Sequence, residues 1–387
     1  MTDLVARRRF LQFLAASPLA TLPTDFSWAY PERALPTNLR EVLNIFQLDQ
    51  VAQHTLSPDA YHFIVAAADD GTSKRANREA YQKVSLRPRR LVDVSNVDMS
   101  VELFGKQYAS PIVLAPVGDQ QKINAGGELA TAQAALRQAS LMICSMMTNA
   151  SISEITSVGG AYWFQLYPSA NRAFMKKLMD DAKVAGCDTI VLTVDGPVRG
   201  NHEASRWFRL IRDRSQEQRQ VRLGNFENFE GRKGIGDPSL SWDDLAWFRD
   251  NTSLNFMLKG IVTQEDAKLC RKYGVDGVIV SNHGGRQEGS GRGTLAVLPE
   301  IVKELKGRMP ILMDGGVRRG SDAYKALALG ADAVCIGRPY LWGLGAYGQE
   351  GVNKCLTILN SELKRTMQFA GTTNLASINT EIIYVND

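Results

Sequence analysis

Gly330-Ala331-Asp332-Ala333-Val334-Cys335 follows a local grammar that Gly186-Cys187-Asp188-Thr189-Ile190-Val191 and Gly274-Val275-Asp276-Gly277-Val278-Ile279 share. In each, a glycine closes a helix, a polar residue makes the turn, and a short apolar run reads as a buried strand. Ahead of the second of these stretches, Phe174, Met175, Leu178, Met179 and Ala182 recur at helical spacing, and residues 321–329 form a compact alanine-rich helix ahead of Gly330. Five more short apolar runs, at 112–115, 141–144, 162–167, 255–258 and 310–313, bring the candidate strands to eight. Runs that are continuously apolar, separated by helices, mean parallel strands covered on both faces. The expected fold is therefore α/β, a closed (β/α)8 TIM barrel. An open doubly wound sheet is the alternative, but no G-x-G-x-x-G follows the first strand.

Working outward, residues 37–110 form a helical N-terminal segment leading into the barrel. Its stretch 38–68 is expected to lid the barrel's bottom or side. The barrel spans 111–371 and carries a long insert, 197–241, after strand four; 372–387 is a C-terminal tail. The insert contains Arg206-Trp207-Phe208-Arg209-Leu210-Ile211-Arg212. A loop that long in a compact domain is usually functional or mobile, although a solvated flap without a partner is the bland reading. At the start of the chain, Arg7-Arg8-Arg9-Phe10-Leu11-Gln12 precedes a modest apolar stretch. It resembles a twin-arginine export signal, so residues 1–36 are expected to be a signal and linker, and the protein periplasmic. A basic, frayed terminus on a cytoplasmic protein is the alternative.

Composition narrows the class. The chain has 387 residues, 44% hydrophobic and 22% charged, an ordinary globular balance. Lys+Arg 45 against Asp+Glu 41 gives +4, too mild to argue for nucleic acid. The five cysteines, Cys144, Cys187, Cys270, Cys335 and Cys355, are scattered and lack C-x-x-C spacing, which points to neither a zinc site nor a disulfide framework. No metal is expected.

Chemistry gathers where the strands end, the active face of such a barrel. Strand three ends in Gln165-Leu166-Tyr167, strand four in Thr193-Val194-Asp195 and strand five in Lys259-Gly260. Strand six runs into Ser281-Asn282-His283-Gly284-Gly285-Arg286-Gln287, strand seven into Asp314-Gly315-Gly316-Val317-Arg318, and strand eight into Gly337-Arg338. Any one of these charges could be a surface ion pair; six in register at one mouth are hard to explain that way. The last two loops are the common phosphate site of this barrel. Their glycines let backbone N–H groups approach a phosphate, and Arg318 and Arg338 can bind its oxygens as forks.

The stretch 281–287 resembles the signature of the FMN-dependent α-hydroxy-acid dehydrogenases and oxidases. Leu86-Arg87-Pro88-Arg89, Ala115-Pro116, Gln165-Leu166-Tyr167, Leu258-Lys259-Gly260 and Asp314-Gly315-Gly316-Val317-Arg318-Arg319-Gly320 extend the resemblance in order along the chain. The resemblance implies bound FMN. It implies that Lys259 lies beside the flavin N1–C2=O edge, that Ser145, Gln165, Thr193 and Ser281 hydrogen-bond the ring or ribityl chain, and that Pro116, Val117 and Gly118 meet the N5 edge. Asp314, Gly315, Gly316, Arg318, Gly337 and Arg338 would hold the phosphate end. His283 would be the base, oriented by Asp195; Arg286 would hold a substrate carboxylate and Tyr167 the α-hydroxyl. The electron acceptor is left open among oxygen, quinone and a cytochrome, and the family implies a homo-oligomer, a tetramer.

Besides Gly289, which stands where the family has an acidic residue, with Glu288 before it, three positions depart from the family pattern. Phe63 stands where a tyrosine would supply a second carboxylate contact, His202 where an arginine stands, and Met147 where a pocket aromatic is common. Each weakens recognition of a small carboxylate, so the substrate is expected to be a larger 2-hydroxy acid, or a related amine or alcohol. A flavin-binding protein without turnover is a further alternative, and an FMN isomerase on a similar barrel a lesser one. The insert's aromatic and basic residues suggest peripheral membrane contact.

Overall fold

The computed structural model describes residues 35–211, 220–231 and 234–386. The signal-like Arg7–Gln12 stretch and Arg212 lie outside them. Three helices, α1 (Ile45–Thr55), α2 (Pro58–Val65) and α3 (Thr72–Gln82), come first. Asn44 and Ser57 cap α1 and α2 with their side chains, and Pro58 opens α2. A short strand β1 (Val84–Leu86) and a hairpin of β2 (Val101–Leu103) and β3 (Lys106–Tyr108) follow.

The barrel strands are β4 (Ile112–Leu114), β5 (Met142–Ser145), β6 (Tyr162–Leu166), β7 (Thr189–Thr193), β8 (Asn255–Ile261), β9 (Gly277–Val280), β10 (Ile311–Asp314) and β11 (Ala333–Ile336). They close in the order β4 through β11, with β11 pairing β4, all parallel. The helices between them are α4 (Gly127–Arg137), α5 (Ile152–Thr156), α6 (Arg172–Val184), α7 (Glu203–Ile211), α8 (Leu245–Asp250), α9 (Gln264–Lys272), α10 (Thr294–Leu305) and α11 (Gly320–Ala328); α12 (Arg338–Ala370) follows β11. The fold is the closed (β/α)8 barrel that the strand grammar predicts. In α6, Phe174, Met175, Leu178, Met179 and Ala182 are buried, as their spacing requires. All five cysteines are buried and free.

Two apolar layers result. One fills the space between strands and helices. The other fills the barrel interior with Val113, Ile143, Trp163, Val191, Met257, Ile279 and Leu312. The β2–β3 hairpin closes the N-terminal end of this inner layer: Leu103 is buried in it, and the Phe104 ring lies 5.6 Å from that of Trp163.

Of the two places expected for residues 38–68, the hairpin occupies the bottom, and α1 packs at the side, against α12. The end of α2 reaches the active mouth, where its carbonyls meet arginines from the loops after β9 and β11. The C-terminal tail also pairs: β12 (Ile383–Val385) runs antiparallel to β1.

Much of the insert is anchored. Asn225 is buried; its amide donates to Thr148 Oγ1 at 2.8 Å, and its oxygen accepts from the Ile152 backbone at 2.6 Å. Phe226 and Phe229 pack on Phe174, each with centroids 5.0 Å away.

Candidate active site

Strand register sets the floor of the site. Ser145 pairs with Gln165 and Thr193 with Lys259, so four polar side chains end side by side at the C-terminal rim. All four are buried. After β9 the chain turns sharply. His283, Gly284 and Gly285 have φ of 57°, 63° and 72°. A non-glycine residue there costs about 1–2 kcal/mol, which the surrounding bonds must hold. The His283 N–H donates to Ser281 Oγ at 3.0 Å, and the Gly285 N–H to Asn282 Oδ1 at 3.1 Å. Gly285 is also needed for space, since a Cβ would lie 2.5 Å from the Lys74 backbone nitrogen of α3.

The turn sets the imidazole between two partners. His283 Nδ1 is 2.7 Å from Asp195 Oδ1, and Nε2 is 3.2 Å from Tyr167 Oη. An ionised carboxylate only accepts, so Nδ1 carries the proton and Nε2 keeps its lone pair toward Tyr167. Lys259 Nζ donates to Asp195 Oδ2 at 3.1 Å and stands 3.9 Å from Asp314 Oδ2. Burial works against the Asp195 charge, but His283 and Lys259 outweigh it and hold the carboxyl well below the usual range. Burial likewise opposes the Lys259 charge, yet Asp195 and Asp314 push it up to about 12. The site thus has an ionised Asp195 and a charged lysine at neutral pH. Burial raises Tyr167, which stays a neutral phenol.

These groups open on a cleft of about 880 Å³. Its lining includes Pro116, Val117, Gly118, Ser145, Lys259, Asp314, Gly315, Gly316, Arg318, Gly337 and Arg338. Phe63, Met147, Tyr167, His202, His283 and Arg286 line it too. Gln165, Thr193 and Ser281 lie in the layer beneath: Gln165 Nε2 donates to Thr193 Oγ1 at 2.8 Å, and Ser281 Oγ to Asp314 Oδ2 at 2.8 Å. All the residues singled out in sequence therefore meet at one mouth or directly under it.

The residues fit a flavin mononucleotide. Two buried acceptors, Gln165 Oε1 and Asp314 Oδ1, have no hydrogen-bond partner in the protein, which suits the donors of a ring edge and a ribityl chain. At the other end buried cations crowd together. Burial and then Arg78 push Arg318 down to about 10, and burial with Arg338 and Arg318 pushes Lys74 to about 8. Burial, Arg286 and Arg318 hold Arg338 well below its ordinary value. Like charges gathered in this way are relieved by a dianionic phosphate.

Two arginines do not sit as expected. Arg338 Nε, Nη2 and Nη1 donate to the carbonyls of Ile64 (3.1 Å), Ala66 (2.7 Å) and Gly284 (2.9 Å). Arg286 Nη1 donates to the carbonyls of Phe63 and Ala66, at 3.0 and 3.1 Å. The last carbonyls of a helix lack partners within it and favour cations, and both guanidiniums satisfy the end of α2. Arg338 therefore offers a phosphate its charge rather than a free fork. The Arg318 guanidinium lies over the Trp342 ring, 4.7 Å from its centroid.

Sequence reasoning missed a polar cluster behind the 115–119 loop. Tyr340 Oη donates to the Ala115 carbonyl (3.0 Å), Gln120 Nε2 to the Val117 carbonyl (3.0 Å), and the Gln120 N–H to Glu128 Oε1 (3.0 Å). The apolar spacing of α4 hid Glu128, the acid that anchors the loop.

His202 replaces a fixed charge with a titratable one. Its Nε2 donates to the Arg286 carbonyl at 2.7 Å. Burial and then Arg286 lower its pKa, so it is neutral at pH 7 and charges only below its ordinary 6.5. An unreactive carboxylate analogue, followed by its perturbation of the flavin spectrum, should therefore bind more tightly as pH falls from 7.5 to 5.5. In His202→Gln that pH dependence should vanish; a profile unchanged by the substitution would assign the gain to another group.

Known proteins similar to this chain show its family. A 2-hydroxyacid oxidase of Dictyostelium discoideum is 38% identical over 353 residues, covering 89% of this chain and 91% of that protein. An L-lactate oxidase of Nostoc sp. is 35% identical over 364 residues, covering 90% and 100%. A soluble mutant of the membrane-associated (S)-mandelate dehydrogenase from Pseudomonas putida superposes with a TM-score of 0.84 at 33% identity, covering 89% and 100%. The family model for FMN-dependent dehydrogenases matches residues 52–385. With a barrel, a flavin-shaped cleft and relatives that agree, the chain belongs to the FMN-dependent dehydrogenase family and is an FMN-dependent oxidoreductase.

Proposed function

We propose that this chain oxidises a 2-hydroxy acid with a bulky apolar side chain at its α carbon. The observation that carries the reading is the line Tyr167–His283–Asp195, its basic nitrogen opening on the cleft. Beyond that line the walls include Val198, Val221, Leu223, Ile235 and Pro238, an apolar funnel that would favour a bulky side chain over a two-carbon acid. In this reading His283 Nε2 takes a proton from the substrate, and Asp195 stabilises the imidazolium that forms. Tyr167 hydrogen-bonds the α-hydroxyl and orients it. The Arg286 guanidinium faces the carboxylate. Lys259 keeps positive charge beside the reduced ring. FMN supplies the two-electron acceptor.

A bulky amine or alcohol is the second reading, favoured by Phe63 and neutral His202, neither of which gives a carboxylate a charge. A flavin binder without turnover would need neither His283 nor Asp195. Mixing the yellow holoenzyme without oxygen with glycolate, lactate, long-chain or aromatic 2-hydroxy acids, and matched amines and alcohols separates the readings. Bleaching should be fastest with bulky 2-hydroxy acids and weak with glycolate and lactate. Efficient turnover of glycolate would contradict the funnel argument, and bleaching by none of the panel would leave a binder.

We also propose export and a quinone acceptor. Trp207 (64% exposed) and Leu210 (74% exposed) stand one turn apart on α7, beside Arg206. Apolar rings flanked by arginines suit the headgroup boundary of an anionic membrane. The side chains of Phe208 and Arg209 lie outside the described residues. Fractionation should place the protein outside the cytoplasm, peripherally bound, with quinone analogues reoxidising the flavin faster than air. A cytoplasmic chain making hydrogen peroxide at full rate would overturn this proposal.

A further inference from the structure

A second hollow, of about 460 Å³, opens beside the cleft. Arg199, Gly200, Asn201, His202 and Arg206 line it, and two of these, Arg199 and His202, also line the cleft, so the two spaces adjoin. The hollow lies at the start of α7, whose first turn supplies Arg206. Its floor is tightly built. The Gly200 N–H donates to Gln287 Oε1 at 2.9 Å, and a Cβ on Gly200 would lie 2.2 Å from the Arg286 carbonyl oxygen. Only glycine lets this loop lie against the 286–287 backbone, and that contact brings Arg199 and Arg206 around the same space.

Charges of both signs stand near the hollow, but its arginines form no ion pair among the described residues. Among the described residues neither Arg199 nor Arg206 has a carboxylate partner; Arg206 Nη1 donates to the neutral Asn201 Oδ1 at 3.0 Å. Asn201 in turn donates to Asp69 Oδ1 at 3.0 Å and Glu203 Oε1 at 3.1 Å, carboxylates that form no ion pair with either arginine. The positive field reaches the reacting end: the Arg199 charge helps lower both His202 and Arg286. Surface arginines normally find an acid or point to water. Two exposed arginines that border one open hollow, next to an active site, offer forks suited to an oxyanion.

We propose that this hollow is a distal subsite for a second anionic group, so that the substrate is a 2-hydroxy acid whose far end carries a carboxylate or a phosphate ester. The proposal rests on the 2-hydroxy-acid reading above. One end of such a substrate meets Arg286 and His283, its apolar middle lies along Val198 and the funnel wall, and its far oxygens meet Arg199 and Arg206. A charged group held by an unpaired guanidinium gains roughly ten- to hundredfold in affinity over a methyl at the same place. Such an anion also removes the repulsion between Arg199 and Arg286.

The test is the flavin-bleaching rate of the oxygen-free holoenzyme with three series of 2-hydroxy acids of increasing chain length, ending in methyl, carboxylate or phosphate. At least one anionic series should show a KM ten- to hundredfold below the methyl series at one chain length, an advantage that shrinks in high salt. Arg199→Ala and Arg206→Ala should erase that advantage while the methyl series still bleaches the flavin, a split that a folding defect would not produce. Gain with only one anionic end identifies which anion the subsite takes. If methyl-ended acids bleach the flavin and neither anionic end gains, the subsite is wrong while the 2-hydroxy-acid reading stands. If no 2-hydroxy acid bleaches it, the underlying reading fails. Equal losses on all series in both variants also overturn the subsite.

Discussion

His283→Ala should slow flavin reduction by substrate by about 10²–10⁴-fold while FMN stays bound, the range expected for loss of a general base. The cofactor should stay because the groups that would hold it come from other elements: Gln165 and Thr193 beneath the cleft from β6 and β7, Lys259 from β8, and the cations Arg318 and Arg338 that line it. His283 touches Asp195, Lys259 and Tyr167 instead. Stopped-flow absorbance without oxygen measures the rate, and the flavin-to-protein absorbance ratio reports occupancy. Reduction at full rate would move the base elsewhere, with His202 next in line because it also borders the cleft.

Lys259→Met should be the most destabilising of the site substitutions. It removes the cation between Asp195 and Asp314 and leaves two buried carboxyls without it. Breaking a buried pair from one side costs about 3–5 kcal/mol. The pH dependence has a definite sign. The folded pKa of Asp195 is depressed, so its contribution exists above the ordinary carboxylate range and disappears only as pH falls through the lower folded value. Lys259 is raised to about 12, so its contribution is present below its ordinary 10.5 and disappears as pH rises through about 12. Between these limits the wild-type pair is intact, and the variant should be weaker throughout. Urea-unfolding midpoints near pH 7 measure the difference. A loss below about 1 kcal/mol would mean that the pair is solvated more than its burial indicates.

The barrel was legible because each strand is a short, continuous apolar run behind a turn, and only parallel strands buried on both faces are written that way. The strand-end chemistry was legible for a related reason. In a barrel the residue after each strand has its position set by register, so Tyr167, Asp195, Lys259 and His283 had to share one mouth. What stayed hidden depends on contacts between distant parts of the chain. Nothing in Lys106–Tyr108 or Phe104 announces a plug under Trp163; that follows only once the barrel has an open end. Nothing in Arg286 or Arg338 shows that a helix more than two hundred residues earlier, α2, would end against them with its carbonyls unsatisfied. Glu128 and Gln120 read as ordinary helix and loop polar residues until the 115–119 loop needs its backbone held. The hollow at Arg199 and Arg206 depends on Gly200 pressing against the Arg286 backbone, a contact between two loops that no local pattern encodes.

We propose that this barrel takes a proton from a bulky 2-hydroxy acid at His283, with bound FMN as the electron acceptor. The most direct measurement is oxygen-free single-turnover flavin bleaching with such an acid and its α-deuterated form. The account predicts loss of the oxidised flavin band with one equivalent of 2-oxo acid formed, slower for the deuterated substrate. Bleaching without 2-oxo acid, or no bleaching by any 2-hydroxy acid while a bulky amine or alcohol reduces the flavin, would contradict it.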